Sequence, residues 1–141
     1  MTETVLDIVK GKIQRFLGEM VGTYEVGPDF YRVRYESTAL MIRPFAQQEK
    51  RVMVHFSCVI LREMPFHPNL WKRIAELNKE FMFGKAAYYP DDKLLTWDHF
   101  LLGDFMDKEE FTSACSMMVM TANDLDDMLQ REFGGKKFTD A

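Results

Sequence analysis

Two adjacent carboxylates followed by a lysine, Asp91-Asp92-Lys93 in the stretch FGKAAYYPDDKLLTW, are residues whose types could do chemistry. An acid pair can serve as general acid and base if the two carboxyls converge and burial pushes their pKa values apart. The local composition argues for a turn instead. Pro90 sets φ at the first corner, the aspartates can bond local amides, and neighbouring turn residues point to water. The other reactive types are as scattered. His55, His67 and His99 lack the spacing of metal ligands, although His55 and His99 lie in predicted strands and could become neighbours on a sheet. Cys58 and Cys115 form no CxxC pair and fall on apolar stripes, the setting of inert, buried thiols in a reducing compartment. No serine sits in a GxSxG turn, and the glycines form no phosphate loop. TANDLDD (Thr121 to Asp127) is acidic but lacks the glycine and spacing of a calcium loop. It reads as the solvated face of a helix, with Asp124 and Asp127 in water. The expectation is a protein that is not an enzyme, with no catalytic residues, no metal and no cofactor.

The totals point the same way. The chain has 141 residues and is read as a single domain, 1–141, with 135–141 a loose tail. Hydrophobic residues make up 47% and aromatics 13%, which marks a folded chain and not a disordered one. Net charge is −4, and the basic clusters, Lys50-Arg51 and Lys136-Lys137, are short, so no nucleic-acid footprint is expected. No apolar run is long enough to cross a membrane, and the acidic start does not resemble a signal peptide, so a cytoplasmic location is expected. Eleven methionines are many for this length; methionine fills cores and is also frequent at adaptable binding surfaces.

The elements follow from periodicity. Val5, Val9, Ile13, Phe16, Leu17 and Met20 recur at helical spacing over Glu3 to Met20. The period then changes to two. Tyr31, Val33 and Tyr35 alternate with Arg32 and Arg34, and a second strand sets Leu40 and Ile42 against Met41 and Phe45. Pro44 should lie at that strand's end or on an edge. After a polar turn at Gln47 to Lys50, RVMVHFSCVIL puts Val52, Val54, Phe56, Cys58 and Ile60 on one face. Met53, His55, Ser57, Val59 and Leu61 take the other. A second helix over LWKRIAELNKEFMFG is expected to end at Gly84 as C-cap. Strands over 85–89 and 93–102 are joined at the acidic turn. A third helix begins with a capping box of Asp107 and Glu110 and carries the stripe Phe111, Cys115, Met118, Ala122, Leu125, Leu129 and Phe133. The order is α-β-β-β-α-β-β-α, which predicts an α+β fold with an antiparallel sheet packed with helices.

One pattern bears on function. The strand at 93–102 is apolar on both faces, with Leu95, Trp97 and Leu101 one way and Leu94, Phe100 and Leu102 the other. A sheet covered on one side is polar on its other side. Either helices cover both faces here, or a second subunit or a client peptide does.

The segment LNKEFMFGKAAYYPDDKLLTWDHFLLGDFMDKEEF, Leu77 to Phe111, resembles the YbjN-like family and its relatives, the class I chaperones of type III secretion. The positions that carry the likeness are Asn78, Phe81, Phe83, Gly84, Lys85, Ala86, the turn Asp91-Asp92, Leu94 to Leu102 and Asp104 to Phe111. The resemblance implies a helix-and-sheet sandwich, commonly a homodimer, that binds an extended peptide of a client protein along hydrophobic surface. Secretion chaperones hold effector segments, whereas YbjN-like proteins are labelled regulators. The residues expected to make contact are Met41, Phe45, Met53 and His55, with Trp97 and Leu101 if they share that face. The alternative is a small-molecule-sensing regulatory domain with a pocket lined by Tyr88, Tyr89 and Trp97.

Overall fold

The computed structural model describes residues 4–48 and 51–141. Helix α1 (Val5–Met20) leads into strands β1 (Glu25–Val26), β2 (Tyr31–Tyr35), β3 (Thr38–Gln47) and β4 (Arg51–Leu61). Helix α2 (Leu70–Glu80), strands β5 (Lys85–Tyr89) and β6 (Leu94–Leu102), a short 3-10 turn (Gly103–Phe105) and helix α3 (Lys108–Phe133) complete the chain. The expected α+β order holds, with the two-residue β1 and the 3-10 turn as additions too short to show a period. Glu3, Glu49 and Lys50, assigned by the sequence to the first helix and to the turn before β4, lie outside the described residues.

The six strands form one antiparallel sheet in the order β1-β2-β3-β4-β6-β5. The crossover through α2 carries the chain to the far edge at β5, and β6 returns to pair with β4. Pro44 lies inside β3 by position, but β2 pairs with β3 only as far as Ile42, so the strand is locally an edge there. A proline, which has no N–H to donate, is tolerated at such a place.

All three helices pack on one face. Phe111 of α3 meets Phe16 of α1 and Phe56 of β4, with ring centroids 5.6 and 5.8 Å apart. Phe81, just past α2, meets Trp97, and Trp71 of α2 meets Tyr88. Registers Cys58↔Trp97 and Tyr88↔Leu95 place these strand residues on the same side as Phe56. The core is therefore the layer between helices and sheet, and the α3 stripe read from the sequence is buried along its whole length.

Four local expectations change. Leu61 turns to the helix face because a bulge between Val59 and Leu61 sets it opposite Leu95, so Ile60 and Leu61 are both buried. Helix α2 stops at Glu80 with Phe81 as its extended C-cap, so Gly84 is not the cap. Gly84 has φ of 87° and lies against the indole: a Cβ there would stand 2.3 Å from Trp97 Nε1. A glycine is needed for the close approach and for the left-handed backbone. At α3 the Asp107 carboxylate accepts from the Glu110 N–H at 2.7 Å, which is the first half of the expected box. A reciprocal box forms at α1 instead, between Thr4 and Asp7. Lastly, 135–141 is not loose. Lys136 and Arg62 exchange backbone bonds of 2.7 and 2.8 Å, and the Asp140 carboxylate accepts from Gln130 Nε2 and the Lys137 N–H.

Candidate functional site

With every helix on one side, the other side of the sheet is left open. Register assigns its side chains in rows. Arg32, Met41, Ser57, Asp98 and Lys85 form one row; Arg43, His55 and Phe100 form the next. Phe45, Met53 and Leu102 form a third. Met41, Phe45 and Met53 are half-buried, while Phe100 and Leu102 are 39% and 42% exposed. The four contact residues expected from the strand pattern, Met41, Phe45, Met53 and His55, are thus brought together on this face. Trp97 and Leu101 do not share it. They pair with Cys58 and Val54 on the helix side, where Trp97 is fully buried and Leu101 is half-buried. Trp97 is a core residue, because odd-numbered positions of β6 face the helices.

A buried polar cluster lies beneath the open face. Asp98 is 3% exposed. Its Oδ1 is 3.2 Å from His55 Nε2, and its Oδ2 accepts from the Thr96 hydroxyl at 2.8 Å. Burial pushes the Asp98 carboxyl up, but hydrogen bonds from His55, Ser57 and Thr96 outweigh it and hold the group below the usual carboxylate range. His55 stacks flat on Phe100, with centroids 4.4 Å apart and planes 4° from parallel. Ser57, His55 and Asp98 contain the residue types of a hydrolytic triad but not its connections. No hydrogen bond links Ser57 to His55, whose Nδ1 has no partner among the described residues. The cluster fixes the imidazole and, through it, the ring of Phe100.

The other reactive types are separated. Asp91 and Asp92 are exposed in the Pro90–Lys93 turn, where the Lys93 N–H bonds to the Pro90 carbonyl. His99 faces the helix side, opposite to His55, and stacks on Phe83; burial lowers its pKa. Burial pushes the thiols of Cys58 and Cys115 up to about 12, which keeps them protonated and inert. Among the described residues no cluster of His, Cys, Asp or Glu could hold a metal. Asp124 and Asp127 face water as expected, but Asp126, on the same helix, is buried and accepts from the Ser37 hydroxyl. Helical position alone could have shown this, since Asp126 lies four residues from the buried Ala122 and three from Leu129. Tyr88, Tyr89 and Trp97 do not line a common pocket. Tyr88 is buried with its hydroxyl bonded to the Met64 carbonyl, and Tyr89 points to the open face. An apolar cavity of about 220 Å³ lies elsewhere, between the end of α1, β2 and α3, lined by Val33, Leu40, Cys115 and Val119 among others.

The two sheet edges differ. At β5, Asn78 of α2 occupies both backbone groups of Ala86, with its Oδ1 accepting from N–H at 2.6 Å and its Nδ2 donating to C=O at 3.3 Å. That edge is blocked against another strand at its middle. At the opposite edge, β1 pairs only with Tyr31 and Arg32, and no strand among the described residues covers Val33 to Tyr35.

Residues 3–141 match the family described as T3SS (YopN, CesT) and YbjN peptide-binding chaperone 1. The chain belongs to that family. No curated protein matches the sequence. Among solved structures, the ExsC-ExsE complex matches with a TM-score of 0.66 at 11% identity, covering 84% of this chain and 94% of that one. The HopA1-SchA chaperone-effector complex gives 0.68 at 4% identity, covering 90% and 99%. The Yersinia pestis type III secretion chaperone SycH, in complex with a stable fragment of YscM2, gives 0.55 at 16% identity, covering 83% and 98%. At these identities the likeness shows a common fold. No helix among the described residues is long and apolar enough to cross a membrane.

Replacing Asp98 with asparagine tests the polar cluster. The folded carboxyl has a lowered pKa, so its contribution is present above the ordinary carboxylate range and is lost as pH falls through the lowered value. Urea unfolding at pH 7 should find Asp98→Asn less stable by about 2 kcal/mol. The gap to the wild-type protein should close below about pH 4. An undiminished gap in acid would contradict the assignment.

Proposed function

We propose that this protein is a non-enzymatic, chaperone-like or regulatory adaptor that holds an extended segment of a client protein on the open face of its sheet. The observation that carries this is the uncovered face itself: Met41, Phe45, Met53, Phe100 and Leu102 side by side with no helix over them. The family description supports peptide binding, and two similar structures are complexes of a chaperone with an effector or with a fragment of another protein. Met41 and Met53 can adapt to varied client side chains. The unpaired stretch of β2 offers main-chain donors and acceptors, which bind without demanding a particular sequence. The setting is the cytoplasm, where two buried free thiols are stable.

The working unit is a homodimer. Its contact lies around the blocked β5 edge, where Phe66, Trp71, Tyr89 and Met82 are between 43% and fully exposed. Exposed aromatics and methionine at one edge are the composition of an interface core. Light scattering after size exclusion should give a dimer mass for the wild-type protein and a monomer mass for Trp71→Glu. A dimer that persists in Trp71→Glu would place the contact elsewhere.

The client surface is tested by two substitutions with opposite outcomes. Met53→Glu puts a charge on the open face and should leave thermal unfolding nearly unchanged. It should also remove the protein partners that the tagged wild-type protein retains from its native cells. Trp97→Glu buries an unpaired charge and should prevent folding. Retention of the same partners by folded Met53→Glu would count against the open face.

A further inference from the structure

The open face is basic although the chain is acidic. Arg32, Arg34, Arg43, Arg51 and Lys85 project from it, while the whole chain carries a net charge of −4. Its acids are occupied. Glu25 is held by Arg32 and Arg34, each at 3.1 Å, and Asp98, on the same face, is buried and bonded to His55 and Thr96. Arg43 and Lys85 form no ion pair among the described residues. The Arg43 guanidinium lies 5.4 Å from the centroid of Phe45, and Lys85 Nζ lies 5.6 Å from that of Phe100. Each cation therefore leans on an aromatic ring of the apolar patch, one from β3 and the other from β5. Helix α3, on the other side of the sheet, carries the opposite sign, with Glu109, Glu110, Asp124 and Asp127 exposed.

We propose that the segment held on this face is acidic as well as apolar. The proposal rests on the open face being the client surface and adds the chemistry of the client. Three strand spacings separate β3 from β5, about 14 Å. Sheet-facing side chains of an extended segment recur about every 7 Å. Carboxylates about four residues apart would reach Arg43 and Lys85, with a large apolar side chain between them over His55 and Phe100. One carboxylate cannot pair with both cations across that distance, since an ion pair needs N···O within about 4 Å. A basic segment would meet them with like charge, at a cost that specificity exploits.

Fluorescence anisotropy with three labelled probes tests this. The first is an extended peptide of about ten residues, long enough to cross the sheet, with glutamates and large apolar residues. The second has lysine for every glutamate, and the third is an oligothymidine of similar length. The acidic peptide should bind at least about tenfold more tightly than the lysine peptide at low ionic strength, with the difference shrinking as salt is added. Arg43→Glu combined with Lys85→Glu should reverse the preference; both positions are exposed, and circular dichroism checks the fold. Equal binding of the two peptides, abolished in both by Met53→Glu, would overturn the acidic client and leave the open face as the client surface. Peptide binding indifferent to Met53→Glu and to the charge reversal would overturn both. Tighter binding of oligothymidine than of either peptide would overturn a peptide occupant.

Discussion

Side chains in a strand alternate between two faces, and this chain provides helices for one of them. That one-sidedness sets most of what the protein can do. The helix-covered face takes Phe56, Cys58, Leu95 and Trp97 out of water together with the stripes of α1 and α3. These residues account for folding, since apolar burial is the dominant favourable term. The same strands must then display their remaining side chains to solvent or to a partner. A solvated sheet face commonly carries polar groups. This one carries methionine, phenylalanine and leucine, interleaved with arginine and lysine.

The buried cluster under that face has a structural purpose that suits recognition. A carboxylate at 3% exposure would be costly without partners, and the bonds from His55 and Thr96 help to keep it ionised. The return is a fixed His55 ring with Phe100 stacked on it. A rigid aromatic platform loses less conformational freedom on binding than a mobile one. Of the adaptable side chains, Met41 and Phe45 lie on the neighbouring β3 and Met53 lies two residues from His55 on β4. Rigid and pliable contacts therefore lie side by side on one surface.

Strong periodicity made the strands, the helices and their apolar stripes legible in the sequence, and β3 and β4 showed Met41, Phe45, Met53 and His55 as one group. The strand pattern leaves open whether Trp97 and Leu101 share that face, because face assignment does not carry from one strand to another without the register; Cys58↔Trp97 supplies it and sets both on the helix side. Leu61 escaped because a bulge resets the alternation. Gly84 was read as a helix cap because positive φ looks alike in sequence whether it ends a helix or lets the backbone pass an indole. His55 reaches Asp98 across 43 positions and Ser37 reaches Asp126 across 89, separations no local pattern encodes.

The central claim is that the open face is the recognition surface, and methionine methyl NMR addresses it directly. Titration with the acidic-apolar peptide should shift the ε-methyl signals of Met41 and Met53, which lie on that face. The buried Met64, Met106 and Met118 should stay where they are. Shifts confined to Met20 and Met120, which line the cavity between α1, β2 and α3, with Met41 and Met53 silent, would contradict it.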